Sequence, residues 1–258
     1  MKTKSLLVVL VVCSWILSAC QSAQIPATEI PATEIVEIVP PTDTPAPTNT
    51  ALPTETPRPA NTPLPAGVLF RDDFEGSLQP GWEWESENPD KWTFTDDGSL
   101  QIIGENNDLL YSNQQNNLLW YPLPAGDFVI TVHLKTKPFD NFQQAAIFIY
   151  EDSDNYITIN RGFCAPCPTG GNGFYMDYKI AGQIGNYNAA TNAEDVYLRL
   201  ESKENVISGY YATAPEQWER LGRFGNFFQF KKVGIGVSNA RSANDVVGQF
   251  DYFEISQP

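Results

Sequence analysis

Alternation with a period of two recurs along most of the C-terminal part of this chain, and it constrains the fold more than any other feature. In "GDFVITVHLKT", Phe128, Ile130, Val132 and Leu134 alternate with Val129, Thr131, His133 and Lys135. In "VYLRLES", Val196, Leu198 and Leu200 alternate with Tyr197, Arg199 and Glu201. "QQAAIFIY" and "NYITINR" are joined by the turn "EDSD", and "GFYMDYKI", "NVISGYYAT", "KKVGIGVS" and "VVGQFDYFEI" follow. Side chains on a strand point alternately to its two faces, so such runs between turn residues read as antiparallel strands. No long helical stripe competes. So many strands predict an all-β domain, a two-sheet antiparallel sandwich or jelly roll.

The N-terminal part has a different character. Lys2 and Lys4 precede an apolar run from Leu6 to Leu17. A basic start and a short apolar core read as a secretory signal. The core is shorter than the ~20 apolar residues that a permanent membrane helix needs. It ends in Leu17-Ser18-Ala19-Cys20, which is similar to the lipobox of bacterial lipoproteins. That similarity implies a signal peptide over residues 1–19 and lipidation of Cys20. The expected location is the extracytoplasmic face of a cell membrane, held there by the lipid anchor alone. Residues 20–66 are rich in Pro, Thr and Ala, with a near-repeat of Ile-Pro-Ala-Thr-Glu. They have no period that buries a face and read as an extended, disordered linker. At ~3.1 Å per residue its reach is on the order of 130 Å. The β-sandwich domain is expected at residues 67–258.

Charge excludes some partners. With 31 acidic and 16 basic residues, the chain carries a formal net charge of −15. Phosphate binding needs clustered Lys and Arg, so nucleic acid is not expected as a partner. An anionic lipid surface is not an expected dock for the domain either. Beyond Cys13 and Cys20, the cysteines are Cys164 and Cys167 in "RGFCAPCPTGGNG". In an exported protein this pair is expected to form a disulfide. Zinc is the rival, but the chain has one His, and structural zinc takes four ligands. A redox pair would belong at the start of a helix, whereas this pair lies among prolines and glycines. His133, on the polar side of its run, reads as a surface residue.

The segments "FRDDFEGSLQPGWEWESENPDKWTF", "QQAAIFIYEDSDNYITI", "YLRLE", "QWERLG", "VGIGVSNA" and "FDYFEI" follow one another in order. Together they resemble the concanavalin A-like domain at the C-terminus of some β-xylosidases, and related laminin-G-like jelly rolls. The resemblance covers nearly all of residues 68–256. It implies a lectin-type sandwich and an association with carbohydrate, usually as an accessory module. In this chain a lipid site and a spacer are expected where those enzymes carry a catalytic domain.

Three functional classes follow. Glu83, Glu85 and Glu87 in "GWEWESEN" alternate, and two carboxylates ~5 Å apart could serve a retaining glycoside hydrolase. This is the least favoured class, and no catalytic residue is assigned. A carbohydrate-binding module would use aromatic rings against sugar faces and amides, carboxylates and guanidinium groups against hydroxyls. A protein-interaction or structural module, with a cell-envelope protein as partner, is the alternative. Strand parity turns Gln144, Tyr156, Asn160, Tyr175 and Arg199 away from the core. They are expected to form one patch on an exposed sheet that binds a polysaccharide or glycan. In many jelly rolls of this type the first and last strands are neighbours. On that basis Asp73, Glu75 and Asp251 are expected to meet around a structural Ca²⁺.

Overall fold

The alternating runs become strands. The computed structural model describes residues 64–105, 117–240 and 242–258, and the predictions for the signal, Cys20 and most of the linker lie outside them. In chain order the strands are β1 (Val68–Asp72), β2 (Glu83–Glu85), β3 (Trp92–Phe94), β4 (Leu100–Ile103) and β5 (Leu118–Pro122). Then come β6 (Phe128–Thr136), β7 (Gln144–Asp152), β8 (Asn155–Cys164), β9 (Gly171–Ile180) and β10 (Gln183–Ala190). The last five are β11 (Asp195–Lys203), β12 (Val206–Ala212), β13 (Glu219–Gly225), β14 (Lys232–Ser238) and β15 (Val247–Ser256). Only a short 3₁₀ turn at Pro89–Lys91 is helical among the described residues.

Two antiparallel sheets result. The first runs β13-β12-β11-β6-β15-β4-β3, with β1 also paired to β15. The second runs β10-β9-β8-β7-β14-β5-β2. Val196, Leu198 and Leu200 of β11 and Ile130, Val132 and Leu134 of β6 are fully buried in the first sheet. They join one core cluster with Ile147 and Ile149 of β7, Ile157 and Ile159 of β8, and Phe174 and Met176 of β9. The layers approach closely at Gly209 of β12, where an added Cβ would lie 2.6 Å from Met176 Sδ. A sandwich fills its interior from the inward residues of both sheets in this way.

Turn chemistry fixes the registers. The β9–β10 hairpin turns at Ala181 and Gly182, both at positive φ. Glu204 and Asn205 do the same between β11 and β12. Two central residues of positive φ match the right-handed twist of paired strands. The β8–β9 connection is closed differently. Cys164 and Cys167 are joined by a disulfide, and Cys164 pairs with Gly171 across the strands. From that point the ladder places Asn160 opposite Tyr175 and Thr158 opposite Asp177.

Candidate functional site

The outward side of the second sheet gathers four of the five expected ligand residues. Gln144 of β7 lies opposite Gly162 of β8, and Ala146 opposite Asn160. Tyr150 lies opposite Tyr156. Asn160 then meets Tyr175 of β9. These side chains share one face by parity, together with Phe148, Thr158 and Asp177. An exposed patch was expected there, and the structure differs. Tyr156 and Tyr175 are 6% and 5% exposed, and Thr158 and Asn160 only 1%. The two tyrosines therefore wall the site rather than offer open stacking platforms. The Tyr175 hydroxyl donates to Gly171 O at 2.6 Å and lies 2.5 Å from Thr169 Oγ1. That ties its ring to the disulfide-closed turn.

Asp177 is the chemical centre of this face. Its Oδ2 accepts from Asn160 Nδ2 at 3.0 Å. It is partly exposed, and no cation among the described residues pairs with it. Loss of water around the carboxylate pushes its pKa up to about 6, against a small lowering by Asn160. Thr158, its registered neighbour, has a buried Oγ1 with no hydrogen-bond partner. Buried hydroxyls are almost always paired, so an unpaired one calls for an explanation. On the far side of Asp177, Asn186 and Asn188 of β10 lie opposite Asp177 and Tyr175. Asn188 Nδ2 donates to Asn186 Oδ1 at 3.1 Å. Strand parity places Thr158 and Asp177 on the outward side. Only the β8–β9 register, set by the disulfide turn, makes them neighbours.

The other end of the same face is self-contained. Lys232 Nζ sits 4.0 Å over the Trp120 ring and 5.0 Å from that of Tyr150, and bonds Glu85 Oε2 at 3.0 Å. Trp120 Nε1 also donates to Glu85, at 2.7 Å. Glu83 and Glu85 share a strand face as the alternation predicts. Ser86, at φ 51°, ends the strand, so Glu87 leaves it and accepts from Trp92 Nε1 at 3.1 Å instead. The three glutamates therefore do not form a line. Trp84 between the first two, and Trp82 before them, pack against the core.

Arg199 is not part of this patch. Its strand, β11, belongs to the first sheet, so its outward side lies on the opposite face of the sandwich. Local parity was right, but parity does not say which sheet a strand joins. There Arg199 Cζ lies 4.1 Å over the Trp218 ring. On that face His133 bridges two acids, Nδ1 to Asp251 Oδ2 at 2.8 Å and Nε2 to Asp195 Oδ1 at 2.5 Å. It also stacks on Tyr197 at 4.2 Å.

The first and last strands are neighbours, as the calcium expectation required. The three acids named for it nevertheless have separate surroundings. Asp73 pairs with Arg71 and Asp251 with His133, while Glu75 is exposed. Among the described residues, no three His, Cys, Asp or Glu are grouped to hold a metal ion. The organising acid is the neighbouring Asp72, which is 1% exposed. It accepts from Phe74 N, Gln79 N and Trp82 Nε1 at 2.7–2.9 Å.

Arg161, on the core side of β8, went unnoticed in the sequence. It is 1% exposed and donates to Ala193 O, Gly162 O and Asn172 Oδ1 at 2.7–2.9 Å. Burial lowers its pKa to about 10. It clamps the segment that leads into β11 against the β8–β9 end of the second sheet.

Known proteins share this architecture. Residues 71–256 match the profile of the β-xylosidase C-terminal concanavalin A-like domain. A GH43 protein, BlXynB from Bacillus licheniformis, superposes with a TM-score of 0.64 at 18% identity, over 73% of this chain and 39% of its own. Xylan β-1,4-xylosidase from Bacillus halodurans C-125 gives 0.61 at 16% identity, over 79% and 41%. A GH43 protein of the Bacteroides ovatus xyloglucan locus gives 0.62 at 16%, over 78% and 41%. The chain thus spans about two-fifths of the length of these structures. No curated protein sequence matches it significantly.

Proposed function

Because the chain belongs to the β-xylosidase C-terminal concanavalin A-like domain family, we propose that it is a non-catalytic carbohydrate-binding module carried on a surface lipoprotein. One observation carries the binding reading. On the outward side of the second sheet, a buried hydroxyl without a partner, Thr158 Oγ1, adjoins a desolvated carboxylate. A sandwich gains nothing in stability from that pair, whereas a sugar supplies the missing partners. The relatives point to the same ligand class, since two of them are named for xylan or xyloglucan.

The non-catalytic part of the reading has its own support. Glu85, beside Glu83 on the strand, is held by Trp120 and Lys232, and Glu87 turns away to Trp92, so neither stands free next to Glu83 as an acid/base partner. The anchoring part rests on Lys2, Lys4, the apolar run and Leu17-Ser18-Ala19-Cys20. Calorimetry of the mature protein against plant and microbial polysaccharides tests the binding. Binding by wild type with loss in Thr158→Val is the expected result. Binding that Thr158→Val leaves intact would place the site elsewhere, and no binding to any glycan would favour a protein-interaction module.

A further inference from the structure

We propose that the ligand of this face is an uncharged sugar unit that donates its hydroxyls to an ionised Asp177, so that uronic acids are rejected and acid releases the ligand. The proposal rests on the carbohydrate-binding reading and narrows it to a ligand class and a mode of regulation.

The argument starts from what is already paired. Oδ2 of Asp177 takes the Asn160 amide, and Oδ1 has no donor among the described residues. The nearest lysine along the same strand face, Lys179, is held by Asp154 at 2.9 Å and by Ser153 O at 2.8 Å. Lys232, further along the face, is held by Glu85. Both cations are thus neutralised, and the free charge of the site is one carboxylate. Such a site attracts hydroxyl donors and repels a second carboxylate. Thr158 Oγ1 stands one strand away in direct register, within the ~5 Å that separates paired positions. Its hydroxyl both donates and accepts, so the two groups suit neighbouring hydroxyls on one ring.

The acid release follows from the same geometry. Asp177 must be ionised to accept twice, and burial pushes its pKa up to about 6. Among the described residues, the other titratable and charged groups along this face are Tyr175 and Lys179 on its own strand, Tyr156 on β8, Tyr150 on β7, Asp152 and Asp154 at the β7–β8 turn, Lys232 on β14, and Glu83 and Glu85 on β2. Strand β10 contributes Asn186, Asn188 and Ile184. Burial pushes the Tyr150 and Tyr175 hydroxyls up, further from the pH 5 to 7 range.

Calorimetry of the full chain with neutral xylo- and gluco-oligosaccharides and with oligogalacturonates of equal length, at pH 7 and pH 5, provides the test. A neutral oligosaccharide that binds at pH 7 should bind about tenfold more weakly at pH 5. Oligogalacturonate should bind at least tenfold more weakly than it at pH 7. In Asp177→Asn the pH dependence should vanish. Neutral-ligand binding that is equal at both pH values, or uronate binding that matches it, overturns the proposal and leaves the carbohydrate reading standing. If no glycan binds at either pH, both fall together.

Discussion

An aspartate that loses water and gains no cation weakens the fold whenever it is ionised. Asp177 is in that position, with its pKa at about 6 against an ordinary 3.8. The sign is fixed by linkage. The folded state holds the proton more tightly than the unfolded one, so the penalty is absent below about pH 4. It grows as the pH rises through 4 to 6 and is complete above that range. Its size is on the order of 3 kcal/mol. Asp177→Asn keeps the Asn160 hydrogen bond and removes the penalty. The variant should therefore be more stable than wild type at pH 7.5 and nearly equal to it at pH 4, by urea unfolding at both. A variant that is less stable at pH 7.5 would show that the carboxylate is a structural partner. A residue that stabilises by its removal and binds by its presence marks a functional site rather than a packing one.

At the scale of the element, one strand carries both the site and its support. Strand β8 turns Thr158 and Asn160 outward and sets Arg161 inward on the next position. The Arg161 fork serves three acceptors, a geometry that a lysine cannot copy. Arg161→Lys and Arg161→Ala should each cost about 3 kcal/mol, read as a lower urea midpoint at unchanged slope. A loss under 1 kcal/mol in both would mean that water replaces the guanidinium. The disulfide acts on the same strand by closing the turn that sets its register with β9. Cys164→Ser with Cys167→Ser should cost about 2 kcal/mol and weaken glycan binding, because the register brings Thr158 to Asp177. Unchanged binding would show that the strands hold their register alone. The strands themselves, and the outward side of each, were legible because period two needs only local sequence. The partner of each strand was not, and so Arg199 was set in the wrong sheet. Strand β15 shows a second limit. Phe250 and Phe253 are both buried although three apart, because the register shifts between Phe250 and Tyr252. That shift breaks the period and leaves Asp251 beside His133. Buried polar groups such as Asp72 and Arg161 look in sequence like surface charges, and only their partners reveal them.

For the molecule as a whole, charge decides how it can stay at a membrane. A chain with net charge −15 has no electrostatic hold on an anionic bilayer. The proline-rich residues 20–66 add no apolar face that could insert. On the proposed lipoprotein reading, membrane attachment would rest on acyl chains at Cys20, which bind firmly when more than one is present. The consequence is all-or-none. Wild type should partition into detergent, and its mature N-terminus should be Cys20 by mass spectrometry. Cys20→Ala should lose membrane association completely rather than in part, appearing as uncleaved precursor or as soluble product. The soluble form should bind glycan with the wild-type affinity, since Thr158, Asn160, Tyr175 and Asp177 all lie on the second sheet. Wild type recovered free in the medium, with cleavage at another residue, would remove the lipoprotein from this account and leave a secreted module.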